Sequence, residues 1–218
     1  TFMCVGGDPV IMGGKFGPYT YVFKSPQRSS VAVTRLFMYL KDKKITKLGL
    51  LYASDSFGKD GAFWLEKLAP DYGITYVAKE SFGPKDTDMT AQLTKIRGSE
   101  AQAIICWGTG PAPALVAKNM KQLGLNLPLI QSHGAASKKF IELAGDAAEG
   151  IIMPAGKLVI WKQLPDSDPQ KAVCKEYAEK YTAKFKAPES SFGGYAYDAI
   201  RMLDQTLTKA GNNRDKIR

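Results

Sequence analysis

The sequence is short of the residues that most catalytic and metal sites need. Its 218 residues include one histidine and three cysteines. Cys4, Cys106 and Cys174 are far apart, form no C-x-x-C pair, and have only His133 to join them at a metal, which argues against a zinc site. Cys4 and Cys106 stand in apolar runs and read as small core residues. No stretch approaches the roughly 20 apolar residues of a membrane helix; the longest runs, 48–53 and 103–107, are strand-sized. There is no G-x-S-x-G to present a nucleophilic serine and no G-x-x-x-x-G-K-[ST] to cradle phosphate. Gly108-Thr109-Gly110 lacks the third glycine of a dinucleotide loop, because Pro113 takes that place. Internal repeats and low-complexity tracts are missing too. The first residue is Thr1, and no charged segment followed by an apolar one and a cleavage site is visible. The opening Phe2-Met3-Cys4-Val5 reads as a strand cut from a longer protein.

Positive charge is plentiful: 30 Lys and Arg against 21 Asp and Glu, a net +9. Such a balance suits nucleic acid or an anionic membrane when it forms a stripe. Here the densest cluster is only Lys41-Asp42-Lys43-Lys44, and elsewhere basic residues alternate with acids, as in Lys175-Glu176 and Glu179-Lys180. The pattern predicts solvated helix faces and no nucleic-acid partner.

From residue 47 onward, short apolar runs alternate with helical patterns. Strands are expected at 47–53, 74–82, 101–107, 127–132 and 150–154, the second as a half-exposed edge. Helices are expected at 58–72, from the acceptors Asp86-Thr87-Asp88 to about residue 97, at 111–123 before Gly124, and at 136–144. This β-α alternation predicts a parallel sheet with helices on both faces. Residues 162–169 read as a loop. Amphipathic helices are expected at 170–185, with Val173, Tyr177, Tyr181 and Phe185, and at 192–210, with Tyr197, Ile200, Leu203 and Leu207, ended by Gly211. No strand follows for this pair to cover. At the front, glycines crowd residues 6–17, a strand is expected at 19–24 and a helix at 29–40.

In an open parallel sheet, ligands bind beyond the carboxyl ends of the strands. Those ends lead into Ser54-Asp55-Ser56-Phe57-Gly58, Gly108-Thr109-Gly110 and His133-Gly134-Ala135-Ala136, which should therefore converge. His133 would bond or charge-pair with a ligand there. A catalytic triad is poorly supported, since Ser132 and His133 are adjacent on a strand and point to opposite faces. The glycine turn reads as an entry into a helix whose free N–H groups suit a carboxylate. Phe57 reads as an exposed ring at a pocket edge, Trp107 as core at least as readily as ligand contact, and Phe192 as the first apolar residue of its helix.

Together several stretches resemble the type I periplasmic solute-binding proteins of the branched-chain amino acid ABC importer family. They are Tyr-Val-Phe-Lys at 21–24, Leu-Leu-Tyr-Ala-Ser-Asp-Ser-Phe-Gly at 50–58, Lys-Asp-Thr-Asp-Met-Thr-Ala-Gln-Leu at 85–93, Trp-Gly-Thr-Gly at 107–110, Gln-Leu-Gly-Leu at 122–125, Ala-Gly-Asp-Ala-Ala-Glu-Gly at 144–150 and Gly-Tyr-Ala-Tyr-Asp-Ala at 194–199. The series covers nearly the whole chain in order. The resemblance implies a two-lobed α/β fold with parallel sheets, helices on both faces and ligand held between lobes. Residues 1–24 and 155–218 would be parts of an incomplete first lobe, and 25–154 the second. It implies a periplasmic monomer that captures a small carboxylate or amino acid and delivers it to a membrane permease, with no cofactor, no metal and no catalysis.

The ligand contacts it implies are Phe57, Thr109, Gly110 and His133 from the second lobe, with Phe192, Gly7 and Asp8 from the first; Gly6, Gly7 and Asp8 lie where the ligand carboxylate would be held. His133 stands where the family carries an acid for the ligand's ammonium. That departure favours a carboxylate without an amine, aromatic or otherwise apolar, sandwiched by Phe57 and Phe192. The alternatives are a sensory domain of the same fold and an α/β enzyme using His133.

Overall fold

The computed structural model describes residues 1–3, 6–13, 19–83 and 85–218. Cys4, Gly14 and Gly17 lie outside these residues. The chain divides into two compact units, residues 1–27 with 156–218, and residues 28–155.

The first unit opens with β1 (Phe2–Met3), α1 (Pro9–Met12) and β2 (Phe23–Lys24). β1 and β2 pair in parallel, with Phe2 stacked on Phe23 at 5.3 Å. The strand expected over 19–24 thus shrinks to its last two residues. Behind it, Lys24 Nζ donates to Asp8 Oδ1 at 3.0 Å and to the Gln27 carbonyl at 2.9 Å. Both members of that ion pair have side chains only 1% exposed.

The second unit begins with α2 (Ser29–Asp42), whose Ala32, Val33, Leu36, Phe37 and Leu40 form one buried helical stripe. There follow β3 (Lys47–Ala53), α3 (Ser56–Leu68), β4 (Thr75–Phe82), α4 (Thr90–Arg97), β5 (Ala103–Trp107), α5 (Ala112–Gln122), β6 (Leu129–Gln131) and α6 (Lys138–Ala144). The strands lie in the order β4-β3-β5-β6, all parallel. The alternation of side chains along a strand divides the core in two. Leu48 and Leu50 of β3, with Ala103, Ile105 and Trp107 of β5, pack under α2 and α3. Leu51 and Ala53, with Ile104 and Cys106, pack under the helices of the other face, beside Met89, Leu93, Ile96 and Val116. A sheet covered on both faces needs unbroken apolar strands, and β5 is buried at all five positions. Each fully buried Leu or Ile contributes roughly 1.5–3 kcal/mol. β4 is the edge strand expected of 74–82, and all its residues but Phe82 are half- or fully exposed.

Several elements depart from the sequence reading. The fifth strand of 150–154 reduces to one bridge, Ile152 against Ile130. Gly150 at φ +74° turns the chain just before it, and Pro154 has no N–H to continue the ladder. Asp88 supplies an acceptor at the start of α4 as expected, its carboxylate taking the Thr90 backbone N–H at 2.8 Å, although Met89 holds the cap position. Residues 157–163 form a 3-10 turn that overlaps the expected loop only at 162–163.

The first unit resumes with α7 (Lys171–Phe185), α8 (Ser191–Ala210) and a final turn α9 (Arg214–Ile217) that the sequence did not suggest. Ser190 caps α8 by accepting from the Gly193 N–H, and Gly211 at φ +61° ends it. On α7, Tyr177 is buried against Tyr181 and Tyr197, while Val173 and Phe185 stand exposed.

Candidate functional site

Three loops leave the carboxyl ends of β3, β5 and β6 in the second unit, and local chemistry fixes each. After β3, Asp55 caps α3 by accepting from the Gly58 N–H at 2.8 Å. A side chain at Gly58 would run into the Ala53 carbonyl at 1.9 Å, so only glycine allows so tight a strand-to-helix turn. This turn aims Phe57 along the sheet edge. After β5, Gly110 adopts φ +68°, a left-handed conformation suited to glycine, and α5 starts directly behind it. Among the described residues no acceptor takes the backbone N–H of Thr109 or Gly110. After β6, the chain enters a 3-10 turn at His133–Ala135. Ser132 anchors it: its N–H donates to the Cys106 carbonyl at 3.0 Å and its hydroxyl to the Gly108 carbonyl at 2.9 Å.

These loops bring Phe57, Thr109 and His133 together. The Phe57 and His133 rings are 5.4 Å apart, edge to face. Trp107, fully buried at the end of β5, lies 6.1 Å from Phe57 and 5.6 Å from His133. Thr109 closes the group: a Cβ on Gly134 would meet its methyl at 2.7 Å and the Phe57 ring at 2.9 Å. Gly110 follows on the same turn, and among the described residues other than its chain neighbours no atom lies within 4 Å of where its Cβ would be. The arrangement is a half-buried aromatic floor flanked by a hydrogen-bonding imidazole and free backbone N–H groups. Such a surface can hold a small anion with an apolar body.

One expectation changes. Phe57 is not an exposed ring without partners; it is half-buried and packed on Trp107. Trp107 belongs to the core, as the sequence reading allowed, and it also touches both rings of the rim. The Trp107–Phe57 and Trp107–His133 contacts and the need for glycine at 134 went unseen in the sequence. The only signal was the strand period, which puts residue 107 on the same face as Ala103 and Ile105.

The remaining candidates, Gly7, Asp8 and Phe192, belong to the first unit. Asp8 is buried and ion-paired with Lys24. Gly7 is buried beside it. Phe192 opens α8, is 45% exposed, and meets Tyr195 edge-on at 6.4 Å.

Among the described residues of the rim, neither the Ser132 hydroxyl nor the Cys106 thiol is set up as a nucleophile. The Ser132 hydroxyl is committed to a carbonyl, and the Cys106 thiol is pushed up to about 12 by burial. Among the described residues no group of His, Cys, Asp or Glu is placed to hold a metal ion, and no helix is long and apolar enough to cross a membrane.

Comparison with known proteins adds an independent line. A family model described as periplasmic binding protein matches residues 5–218. The chain is similar to a leucine-, isoleucine-, valine-, threonine- and alanine-binding protein of Pseudomonas aeruginosa, 26% identical over 171 residues, or 78% of this chain and 43% of that protein. It is 26% identical over 192 residues to a Leu/Ile/Val-binding protein of Rhizobium johnstonii, covering 88% of this chain and 49% of that one. It also resembles the crystal structure of an extracellular ligand-binding receptor from Rhodopseudomonas palustris HaA2, with a TM-score of 0.82 and 29% identity over 90% of this chain and 57% of the other. The chain thus spans about half the length of the curated relatives it matches.

Proposed function

The chain belongs to the periplasmic binding protein family, and from that membership we propose that it captures a small carboxylate without turnover and that the rim of Phe57, Thr109, Gly110 and His133 forms one wall of the ligand site. Its fold is that of the type I members, as the sequence resemblance implied. Residues 25–154 form the second lobe in this reading, and residues 1–24 and 155–218 contribute to the first, with Phe192, Gly7 and Asp8 as its ligand-side residues. The protein works in the periplasm as a monomer and hands its ligand to the membrane permease of an ABC importer.

The observation that carries the proposal is the convergence of Phe57, Thr109 and His133 at the carboxyl edge of a parallel sheet, where α/β folds bind their ligands. The relatives are named for binding leucine, isoleucine and valine. A ligand of this chain shares their carboxylate, which the Thr109 and Gly110 N–H groups and His133 would hold. It differs at the amine. An ammonium needs acceptors, and charge-assisted bonds to it are worth roughly 1.5–3 kcal/mol each. His133 offers at most one uncharged acceptor. Phe57, backed by Trp107, favours a flat apolar body.

Calorimetric titration of the full-length protein tests this reading. Benzoate-like and branched aliphatic carboxylates should bind with stoichiometry near one, more tightly than leucine, isoleucine or valine. Leucine binding more tightly than every amine-free acid would defeat the ligand assignment. Steady consumption of a bound compound would defeat the non-enzymatic reading.

A further inference from the structure

We propose that Trp107 is the positioning residue of the rim, the one side chain that sets Phe57 and His133 relative to each other. The proposal rests on the ligand-site reading above but concerns a residue behind the contact surface. Three structural facts carry it.

First, Trp107 touches both rings, at 6.1 Å and 5.6 Å between centroids. Those rings come from different loops, and the indole is where the loops share a neighbour.

Second, α3 is shaped around the indole. Phe57 and Gly61 are four residues apart and so share a helix face. A Cβ on Gly61 would fall 2.2 Å from Trp107 Cδ1 and Nε1. The helix therefore lies directly on the indole at Gly61 and presents Phe57 one turn earlier.

Third, β6 is pinned on both sides of the same residue. Ser132 bonds to the carbonyls of Cys106 and Gly108, the neighbours of Trp107 in sequence, and His133 follows immediately. A shift of the indole is thus felt by α3 on one side and by the His133 turn on the other.

A space-filling role explains less. The indole N–H is buried and has no acceptor among the described residues. A phenylalanine or leucine would fill core without leaving a donor unbonded. What an indole adds is the breadth to reach Gly61, Phe57 and His133 at once.

The test uses the full-length protein and two readouts. The first is the imidazole Hε1 resonance of His133 without ligand, identified by its loss in His133→Gln. The second is affinity for benzoate. Trp107→Leu should move the resonance and weaken benzoate binding about ten- to hundredfold, as small misplacements of contact groups do. Trp107→Phe, an aromatic too narrow to reach Gly61, Phe57 and His133 at once, should recover only part of the affinity. Should Trp107→Leu fail to fold, Gly61→Ala displaces the indole by a single methyl and is held to the same two criteria. An unmoved resonance or an unchanged affinity in a folded variant overturns the proposal. If the wild-type protein binds no carboxylate, the ligand reading fails, yet the ligand-free resonance still decides whether Trp107 positions His133.

Discussion

A methyl group added at Gly134 should damage ligand binding more than folding. The added Cβ of Gly134→Ala would lie 2.7 Å from the Thr109 methyl and 2.9 Å from two atoms of the Phe57 ring. Carbon atoms rest at about 3.5–4.0 Å, so something must yield by roughly 0.6–1.3 Å if the methyl is to fit. In a closed core such overpacking costs about 1–3 kcal/mol. Here Phe57 is half-buried and can swing outward, which places the cost at the low end, about 1 kcal/mol. The swing takes Phe57 off Trp107 and His133, forfeiting aromatic contacts worth about 0.5–1.5 kcal/mol. Removing that floor should weaken an aromatic carboxylate roughly tenfold. Denaturant unfolding and calorimetric titration, run together on the full-length protein, separate the two effects. Thr109→Ser removes one clashing methyl, so the double variant should recover part of the lost affinity, a non-additive result expected of touching residues. Loss of stability with full affinity would refute the reasoning, because the rim would then be structural and not a contact surface.

Other outcomes follow from the same structure. His133→Glu places an acid where an ammonium could pair with it and should move the affinity ratio of leucine to its amine-free analogue by about ten- to hundredfold toward leucine, read by titration of both. Lys24→Met removes the Lys24 cation from the buried Asp8 carboxylate and should lower the unfolding free energy by about 3–5 kcal/mol, while converting both residues together should cost less. Asn119→Ala removes the buried acceptor of the Met89 N–H and should cost about 1–3 kcal/mol in the same denaturation assay. At alkaline pH, burial holds the Cys106 thiol protonated up to about 12, whereas an unfolded thiol ionises near 8.5. The native state therefore binds the extra proton across that window. Stability should be unaffected below it and fall by up to about 1.4 kcal/mol per pH unit between roughly pH 9 and 12 from this group. Cys106→Ala should flatten that limb.

Much of the second unit can be read from sequence because each strand announces itself twice, by an apolar run and by the turn residues that close it. The run at 47–53 became β3 without adjustment, and the C-terminal glycine at 124 marked the end of α5. The front and the segment after residue 150 were harder. Gly150 and Pro154 leave room for one bridge where an apolar pattern alone suggests a strand. Likewise, a strand of two residues, such as β2, has too few side chains to show a period. At the rim, the β-α alternation and the carboxyl-edge rule anticipated that the loops carrying Phe57, Thr109 and His133 converge. What lay hidden was depth. Trp107 and Gly61 meet through tertiary packing between a strand end and a helix, and neither has a local pattern that announces the contact.

A crystal structure of the full-length protein with bound benzoate tests the central claim most directly. The account predicts the ring within van der Waals reach of Phe57 and the carboxylate within hydrogen-bond distance of His133 or the Thr109 and Gly110 N–H groups. A ligand seated away from all four residues would contradict it.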